Sequence, residues 1–285
     1  MELEVLRKKA MKAQILIYLF IFIGFAGLSI HPLIMIGSII VAVILSFTIG
    51  KSVGEYKKVF KETFVGTAFK EVFTDVDYCS DKGISSSVIS KMGMMSTGDV
   101  FSSNDYLSAK YKDIPVISSD VHIQDKYTDS DGNTHYTTIF RGQWMIFDFN
   151  KKFKANLLVK ESGFGGAKLK RGTGKFYRVD LEDMEFNKIF DVFAQSELEA
   201  FYILTPHIME SIKRLEKNSN GKMVMAFDDN KLHVGLATGK DLFEPKIFKK
   251  IDANVINSVI LGDIKQLTSF VDELNLDVDI FRKDV

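Results

Sequence analysis

The longest apolar stretch of the chain covers residues 13–50 and contains no Asp, Glu, Lys or Arg. It divides into two blocks, Ile15–Ile30 and Leu33–Ile49, on either side of His31-Pro32. Each block with its flanks has about the 17–25 residues that an α-helix needs to cross the hydrocarbon of a bilayer. Proline between the blocks is a typical turn residue. The pattern therefore predicts a transmembrane helical hairpin over residues 13–50.

Two other structures share parts of this pattern. A basic start followed by an apolar run is typical of a cleaved signal peptide, but a second block of membrane length follows and there is no A-x-A-like cleavage site. A buried helix pair of a soluble protein would carry polar residues along one face, and neither block has such a face. The membrane hairpin is the favoured interpretation.

Small residues in both blocks allow the two helices to pack closely, either within the hairpin or between copies of the chain. They are Gly24, Ala26, Gly27 and Ser29 in the first block and Gly37, Ser38 and Ala42 in the second.

Basic residues flank the apolar blocks at their outer ends only. They are Arg7, Lys8, Lys9 and Lys12 before the first block and Lys51, Lys57, Lys58 and Lys61 after the second. Because Lys and Arg accumulate on the cytoplasmic side of membrane spans, we expect two spans in the cell membrane with both termini and the remaining domain in the cytoplasm. The lipid bilayer is the first predicted partner.

After the apolar stretch, the pattern changes twice. Apolar residues recur at steps of three or four through residues 51–76, which predicts an amphipathic helix. From Tyr106 the period becomes two, which predicts strands joined mainly by hairpins. Helical patterns then cover residues 196–202, 206–217 and 253–274. The predicted fold class is α+β, with a mostly antiparallel sheet domain and its helices.

The predicted domain organisation has four parts: a basic cytoplasmic N-terminus (1–12), the transmembrane hairpin (13–50), the amphipathic connecting helix (51–76) and a cytoplasmic α+β domain (77–285).

Charge and cysteine content narrow the classes of partner. The formal net charge is zero and the pI is about 7.0, whereas nucleic-acid binding proteins usually carry a basic excess. We therefore expect no nucleic-acid partner. Cys79 is the single cysteine, so the chain can form neither an internal disulfide nor a zinc site built on several cysteines.

Candidate metal and catalytic groups are sparse in the pattern. Asp129-Ser130-Asp131-Gly132-Asn133 resembles part of a calcium loop, but an Asp-Gly hairpin turn explains the same residues. His122 and His135 lie on either side of this turn, and no third ligand is evident. We expect no catalytic residue, no metal site and no cofactor.

Candidate contacts for a ligand or partner are Arg141, Asp148, Lys168, Lys170 and Arg171. Arg141 can pair with an acid such as Asp148 or Glu199, or bind an anionic ligand. The last three residues belong to a glycine-rich basic stretch, 161–175, which suits either a phosphate or a solvated hairpin connection.

Three stretches of the sequence together resemble a known family. They are Phe140-Arg141-Gly142-Gln143-Trp144 with the aromatic run up to Phe153, Asp183-Met184-Glu185-Phe186 with the residues up to Pro206, and Asp241-Leu242-Phe243-Glu244-Pro245. In this order they resemble the bacterial DUF3137 family, a domain of unknown function, over roughly residues 55–275. The resemblance implies N-terminal spans before the domain, but no reaction and no catalytic residue.

From the residues alone, Asp241 and Glu244 before Pro245 are typical of a helix start.

Two functions are compatible with these observations. The favoured one is a membrane-tethered cytoplasmic binding or scaffold module, with a protein partner or self-association, in envelope maintenance or stress signalling. The alternative is a membrane-anchored hydrolase or transferase of an unrecognised type. A pocket that gathers Arg141, Asp148 and other ionisable groups would favour the enzyme, whereas an exposed apolar patch would favour binding.

Overall fold

Two long helices form the N-terminal part of the protein. The structure is a computed structural model and describes residues 2–92, 95–148, 156–164 and 176–276. Helix α1 covers Glu2–Gly27 and helix α2 covers Pro32–Phe60. The backbone N–H of Leu33 donates to the His31 side chain (3.2 Å), and Pro32 occupies the first turn of α2, where its missing N–H costs nothing.

The second helix continues beyond the apolar block. A π-helical turn (Lys61–Val65) and helix α3 (Gly66–Val72) follow α2 directly. The amphipathic helix predicted for residues 51–76 is therefore a direct continuation of the second apolar helix. The basic N-terminus is also helical, since α1 begins at Glu2.

Both α1 and α2 are long and apolar enough to cross a membrane. Their apolar side chains are largely exposed, with Phe25 at 71% and Phe47 at 77% relative exposure. A helix that is apolar on all sides and is not covered by protein is typical of a membrane span.

Two of the small residues, Gly24 and Gly27, lie at the contact between α1 and α2, whereas Gly37 faces open space. A Cβ atom added to Gly24 would lie 2.3 Å from the Ser38 Oγ, and one added to Gly27 would lie 2.3 Å from the Ile34 Cγ2. The prediction that small residues bring the two helices together is thus confirmed within the hairpin.

A small apolar cluster lies beyond the spans and contains Ala10, Tyr56 and Phe60, with Ile247 and Ile251 packed against it. The Arg7 guanidinium donates to the Ile247 carbonyl (2.8 Å). Two salt bridges belong to the same unit as this cluster: the Glu244 carboxylate binds Lys57 (2.5 Å) and the buried Lys61 (2.7 Å).

The described residues that follow form a nine-stranded sheet, in which every neighbouring pair of described strands is antiparallel. The strands are β1 (Thr74–Cys79), β2 (Val100–Tyr111), β3 (Ile114–Thr128), β4 (Thr134–Asp148), β5 (Leu157–Glu161), β6 (Tyr177–Val179), β7 (Phe190–Ala194), β8 (Lys222–Asp228) and β9 (Lys231–Ala237). Their order across the sheet is β1-β2-β3-β4-β9-β8-β5-β7-β6.

Five helices accompany the described strands: α4 (Ser86–Lys91), α5 (Met184–Ile189), α6 (Glu197–Ile203), α7 (Pro206–Asn218) and α8 (Ala253–Glu273). Four of them have side-chain N-caps, since Asp183, Ser196, Thr205 and Asp252 accept backbone N–H groups of α5, α6, α7 and α8. The predicted α+β class is confirmed.

Side chains alternate between the two faces of the sheet. One face carries Trp144, which packs with Phe140 (ring centroids 5.6 Å apart) in a core that includes Ile89 and Met92. The opposite face carries Phe147, whose ring lies 6.1 Å from that of Phe270 in α8.

By their contacts, the residues form two compact units. One consists of Met1–Ala68 with Phe243–Ile260, and the other, called the sheet domain below, of Phe69–Leu242 with Leu261–Val285. The four-part division expected from the sequence stays a prediction. The expected helix start at Asp241–Glu244 is wrong, because this segment forms turns and loop in the structure.

Candidate functional site

A β-bulge in β2 places Asp105 in the interior of the sheet domain. Asn104 pairs with Asp120 and Leu107 with Ser118, so β2 carries one extra residue between these positions. Asp105 adopts φ +55, a conformation that Asp tolerates better than most residues. Its side chain is only 3% exposed and accepts hydrogen bonds from the Tyr78 hydroxyl (2.7 Å) and the Asn104 amide (2.9 Å).

Asp120 lies on the adjacent strand β3 and is 4% exposed. Its Oδ2 accepts the backbone N–H of Leu242. Its Oδ1 is buried and has no hydrogen-bond donor among the residues that the structure describes. An unsatisfied buried acceptor costs about 1–3 kcal/mol, so this oxygen is a costly feature of the fold.

Asp241 comes from the loop that follows β9. The end of β9 and the start of this loop approach Gly142 of β4 closely, because a Cβ added there would lie 2.0 Å from the Leu236 carbonyl oxygen and 2.8 Å from the Thr238 nitrogen. Only glycine permits this approach. The N–H of Gly239 donates to the Arg141 carbonyl (2.9 Å), and the Asn104 amide donates to the Asp241 carboxylate (3.4 Å).

Together these segments form a cluster of three carboxylates, Asp105, Asp120 and Asp241, called the carboxylate cluster below. One oxygen from each lies within 4.8 Å of the others. Residues from β2, β3 and the loop after β9 thus meet at one point, although they are far apart in the sequence.

The electrostatics of the carboxylate cluster oppose ionisation of all three acids. Burial raises the pKa of Asp120 well above its ordinary value, and contact with the Asp241 carboxyl and the charge of Asp105 raise it further. Burial and the neighbouring Asp105 charge likewise raise the pKa of the Tyr78 hydroxyl. A hydrogen bond between the Asp120 and Asp241 carboxyls requires a proton on one of them.

Gln143 lies beside the cluster on β4, directly opposite Asp120. It is 2% exposed, and its Oε1 has no hydrogen-bond partner within the described part of the chain. Directly opposed residues of an antiparallel pair point to the same face. Two unsatisfied oxygens, Asp120 Oδ1 and Gln143 Oε1, therefore lie on one face of neighbouring strands.

The next row of the sheet brings His122 opposite Arg141, on the same face as Asp120 and Gln143. Burial and the Arg141 charge lower the pKa of His122, while the charge of Asp241 acts in the opposite direction. His122 contacts the Thr138 hydroxyl (3.3 Å). The two residues form a basic rim beside the carboxylate cluster.

The structure separates the candidate residues predicted from the sequence. Arg141 is exposed at this rim in the middle of β4, whereas Asp148 is the last residue of the strand, where the Asn230 amide donates to it. Seven residues of strand correspond to roughly 20 Å, so Arg141 and Asp148 do not pair. Lys168, Lys170 and Arg171 lie outside the described residues.

The β3–β4 hairpin decides two further questions, namely whether residues 129–133 form a turn or a calcium loop and whether His122 and His135 face one another. Asp129 accepts the backbone N–H groups of Asp131 (3.0 Å) and Asn133 (2.8 Å), and Gly132 has φ +83. The hairpin-turn interpretation is confirmed. His122 pairs with Arg141 and His135 with Tyr127, so the two histidines do not face one another.

Sequence reasoning missed most of the carboxylate cluster, because Asp105 and Asp120 occur in separate strands with no motif spacing between them. A signal was present in the stretches Phe140–Trp144 and Asp241–Pro245, which carry the family resemblance. Gly142 and Gln143 come from the first stretch and Asp241 from the second, so the two stretches meet at the cluster.

Comparison with known proteins gives three findings. No curated protein matches the chain. Among solved structures, the crystal structure of the mycobacterial trehalose monomycolate transport factor A, TtfA, is similar with 9% sequence identity and a TM-score of 0.40, covering 78% of this chain and 96% of that one. The family model DUF3137, a protein of unknown function, matches residues 138–276. The match does not include residues 55–137 of the predicted range, and the resemblance to the DUF3137 family is confirmed for residues 138–276.

Proposed function

We propose that the protein is a membrane-tethered binding module, in which α1 and α2 anchor the chain in the bilayer and the sheet domain binds a partner. The observation that carries this proposal is the exposure of apolar side chains around both helices, including Phe22, Phe25 and Phe47. Such a surface is costly in water and favourable in lipid.

The distribution of basic residues supports a cytoplasmic sheet domain. Arg7 and the lysines that follow it precede the first apolar block, and Lys51 and the lysines after it follow the second, while the turn at His31-Pro32 has no Lys or Arg. By the positive-inside rule, the turn faces outward and both ends of the chain face the cytoplasm.

Exposed apolar side chains on neighbouring elements support a protein partner for the sheet domain. Helix α6 contacts β6 and β7, and α5 contacts β7. These neighbouring elements expose large apolar side chains, namely Tyr177, Met184, Leu198, Phe201 and Tyr202. Clustered exposed apolar side chains are typical of interaction surfaces.

A second candidate function, a membrane-anchored hydrolase or transferase, is favoured by the carboxylate cluster with His122 and Arg141 at its rim. Perturbed ionisable groups concentrate at catalytic sites. Binding remains the preferred function, because Arg141 and Asp148, the pair proposed to form an enzymatic pocket, lie roughly 20 Å apart along β4.

Membrane extraction and cysteine labelling test the proposal. We expect the full-length chain to stay in the membrane after carbonate washing and to be released by detergent. In a Cys79→Ser background, Ile30→Cys should react with a membrane-impermeant maleimide in intact cells. Lys249→Cys, on an exposed residue, should react only after the cells are permeabilised.

Release by carbonate alone would refute the membrane anchor. Labelling of Lys249→Cys but not Ile30→Cys in intact cells would retain the anchor and place the sheet domain on the opposite side.

A further inference from the structure

We propose that the carboxylate cluster of Asp105, Asp120 and Asp241 binds one hard divalent cation, Ca²⁺ or Mg²⁺. This inference goes beyond the binding function proposed above and does not depend on the membrane anchor.

The donor set suits a hard cation. Ca²⁺ and Mg²⁺ bind oxygen ligands, above all carboxylates and amide carbonyls, and each of the three acids brings one carboxylate oxygen into the cluster. Ligands on opposite sides of Ca²⁺ are about 4.8 Å apart, since each Ca–O distance is about 2.4 Å. The three oxygens lie within 4.8 Å of one another, so only small shifts are needed to bring them into one coordination sphere.

The second observation is independent of the acidic charge. Asp120 Oδ1 is buried and lacks a hydrogen-bond donor among the described residues, and so does Gln143 Oε1 on the opposed strand. A protein rarely leaves such oxygens unsatisfied. A cation at the cluster would be the missing positive partner of Asp120 Oδ1. Gln143 Oε1 lies on the same face of the sheet and would serve as a further, neutral oxygen ligand.

The surrounding contacts hold the acids in position before any ligand binds. The bulge fixes Asp105, and Tyr78 and Asn104 donate to its carboxylate. The Leu242 N–H fixes Asp120, and Gly142 allows the loop that carries Asp241 to approach. Preorganised ligands lose little conformational entropy on binding, which favours affinity.

A bound cation would link three separate parts of the sheet domain, because its ligands come from β2, β3 and the loop after β9. The competing explanation is that Asp120 and Asp241 share a proton and no cation binds. Both explanations relieve the repulsion between the acids, and they differ in their response to added metal.

Calorimetric titration of the full-length chain in detergent, stripped with a chelator, separates the two explanations. CaCl₂ alone and MgCl₂ alone are the probes, at physiological ionic strength. For at least one of the two ions we expect saturable binding of one ion per chain. Asp120→Asn keeps the shape of the side chain while removing its charge and should weaken binding at least about tenfold.

The matched control is Asp125→Asn, which removes the same charge from the same strand β3 outside the cluster and should bind like the wild type. Asp241→Asn, a half-buried loop position, is the second variant in case Asp120→Asn does not fold, as judged by its circular dichroism. It should also weaken binding at least about tenfold.

Two results would overturn the proposal. One is the lack of saturable binding of either ion by the folded wild-type chain, as expected if the acids only share a proton. The other is unchanged affinity in a folded Asp120→Asn or Asp241→Asn variant, which would place the ion elsewhere.

Discussion

At the scale of single residues, the surroundings of Trp144 show how closely the sheet domain is packed. The indole N–H of Trp144 donates to His233 Nδ1 (3.5 Å), and a Cβ added to Gly235 would lie 2.7 Å from the Trp144 ring. Both residues belong to β9, which pairs with β4. Stability should therefore depend on the protonation of His233 and on any side-chain volume added at Gly235.

Protonation of His233 should destabilise the protein in mild acid. Burial lowers the pKa of His233 from 6.5 to about 4, so the unfolded chain binds this proton first as the pH falls. Above pH 6.5 His233 is neutral in both states, so it costs no stability. Between pH 6.5 and 4 the free energy of unfolding falls by about 1.4 kcal/mol per pH unit, or about 3 kcal/mol in total. Urea unfolding followed by Trp144 fluorescence measures this loss.

The variant His233→Gln keeps a hydrogen-bond acceptor but cannot be protonated in this range. It should lose less stability than the wild type over the same pH interval, and equal losses in the two proteins would contradict the assignment to His233.

Gly235→Ala should lower the free energy of unfolding by about 1–3 kcal/mol, because the added methyl group overlaps the Trp144 ring and the Val224 side chain. Gly262→Ala is the control, since a Cβ at that position of α8 meets nothing within 4 Å. It should stabilise the helix by about 0.5–1 kcal/mol. Urea unfolding of both variants gives the comparison, and destabilisation of equal size at the two positions would contradict it.

The sequence was only partly informative at this scale. Arg141 and Asp148 were both predicted to contact a ligand, but only Arg141 lies beside the carboxylate cluster. The positions of Asp105 and Asp120 depend on the pairing register of β2 with β3, and register is a long-range property with no local motif.

At the scale of elements, the sequence predicted more, because helices and hairpins depend on local patterns. The hairpin turn at Asp129–Asn133, the helices that begin near Ser196 and Pro206, and the β8–β9 hairpin all follow from neighbouring residues. The pairing of β4 with β9 could not be predicted, since four strands intervene between them in the chain.

The contact between α1 and α2 provides a matched pair of substitutions. Gly27→Leu places a large side chain where a Cβ would already lie 2.3 Å from Ile34, whereas Gly37→Leu faces open space. Both changes raise helix propensity alike. We therefore expect only Gly27→Leu to lower the melting temperature in detergent, by a destabilisation of about 1–3 kcal/mol. Circular dichroism measures both, and an equal response would exclude this packing contact.

At the scale of the whole molecule, the proposed membrane anchor gives two parts of the chain different surroundings: lipid for α1 and α2, and water for the sheet domain. The backbone groups of α1 and α2 are satisfied within each helix and persist in lipid or detergent, whereas the sheet domain depends on long-range strand pairing in water. The apolar blocks were recognisable from composition alone, because charge is nearly excluded from spans.

We expect urea to unfold the full-length chain in detergent in two stages. Trp144, the single tryptophan, lies in the sheet domain, so its fluorescence should report that transition alone. Circular dichroism should retain a helical signal from α1 and α2 after the fluorescence change is complete. Complete loss of helix at the same urea concentration as the fluorescence change would contradict two independent units.

The extra residue in β2 has a consequence for how this chain tolerates insertions and deletions. Because Asn104 and Leu107 point to the same face on either side of the bulge, the odd and even positions of β2 exchange roles at Asp105. Deleting Asp105 would leave Tyr106 alone between these two residues, so β2 would become a regular strand in which Asn104 and Leu107 keep their partners Asp120 and Ser118. A deletion of one residue at a regular position of β2 would turn every later side chain to the other face, whereas the bulge position can lose a residue and keep Leu107 and Ala109 on the face they share.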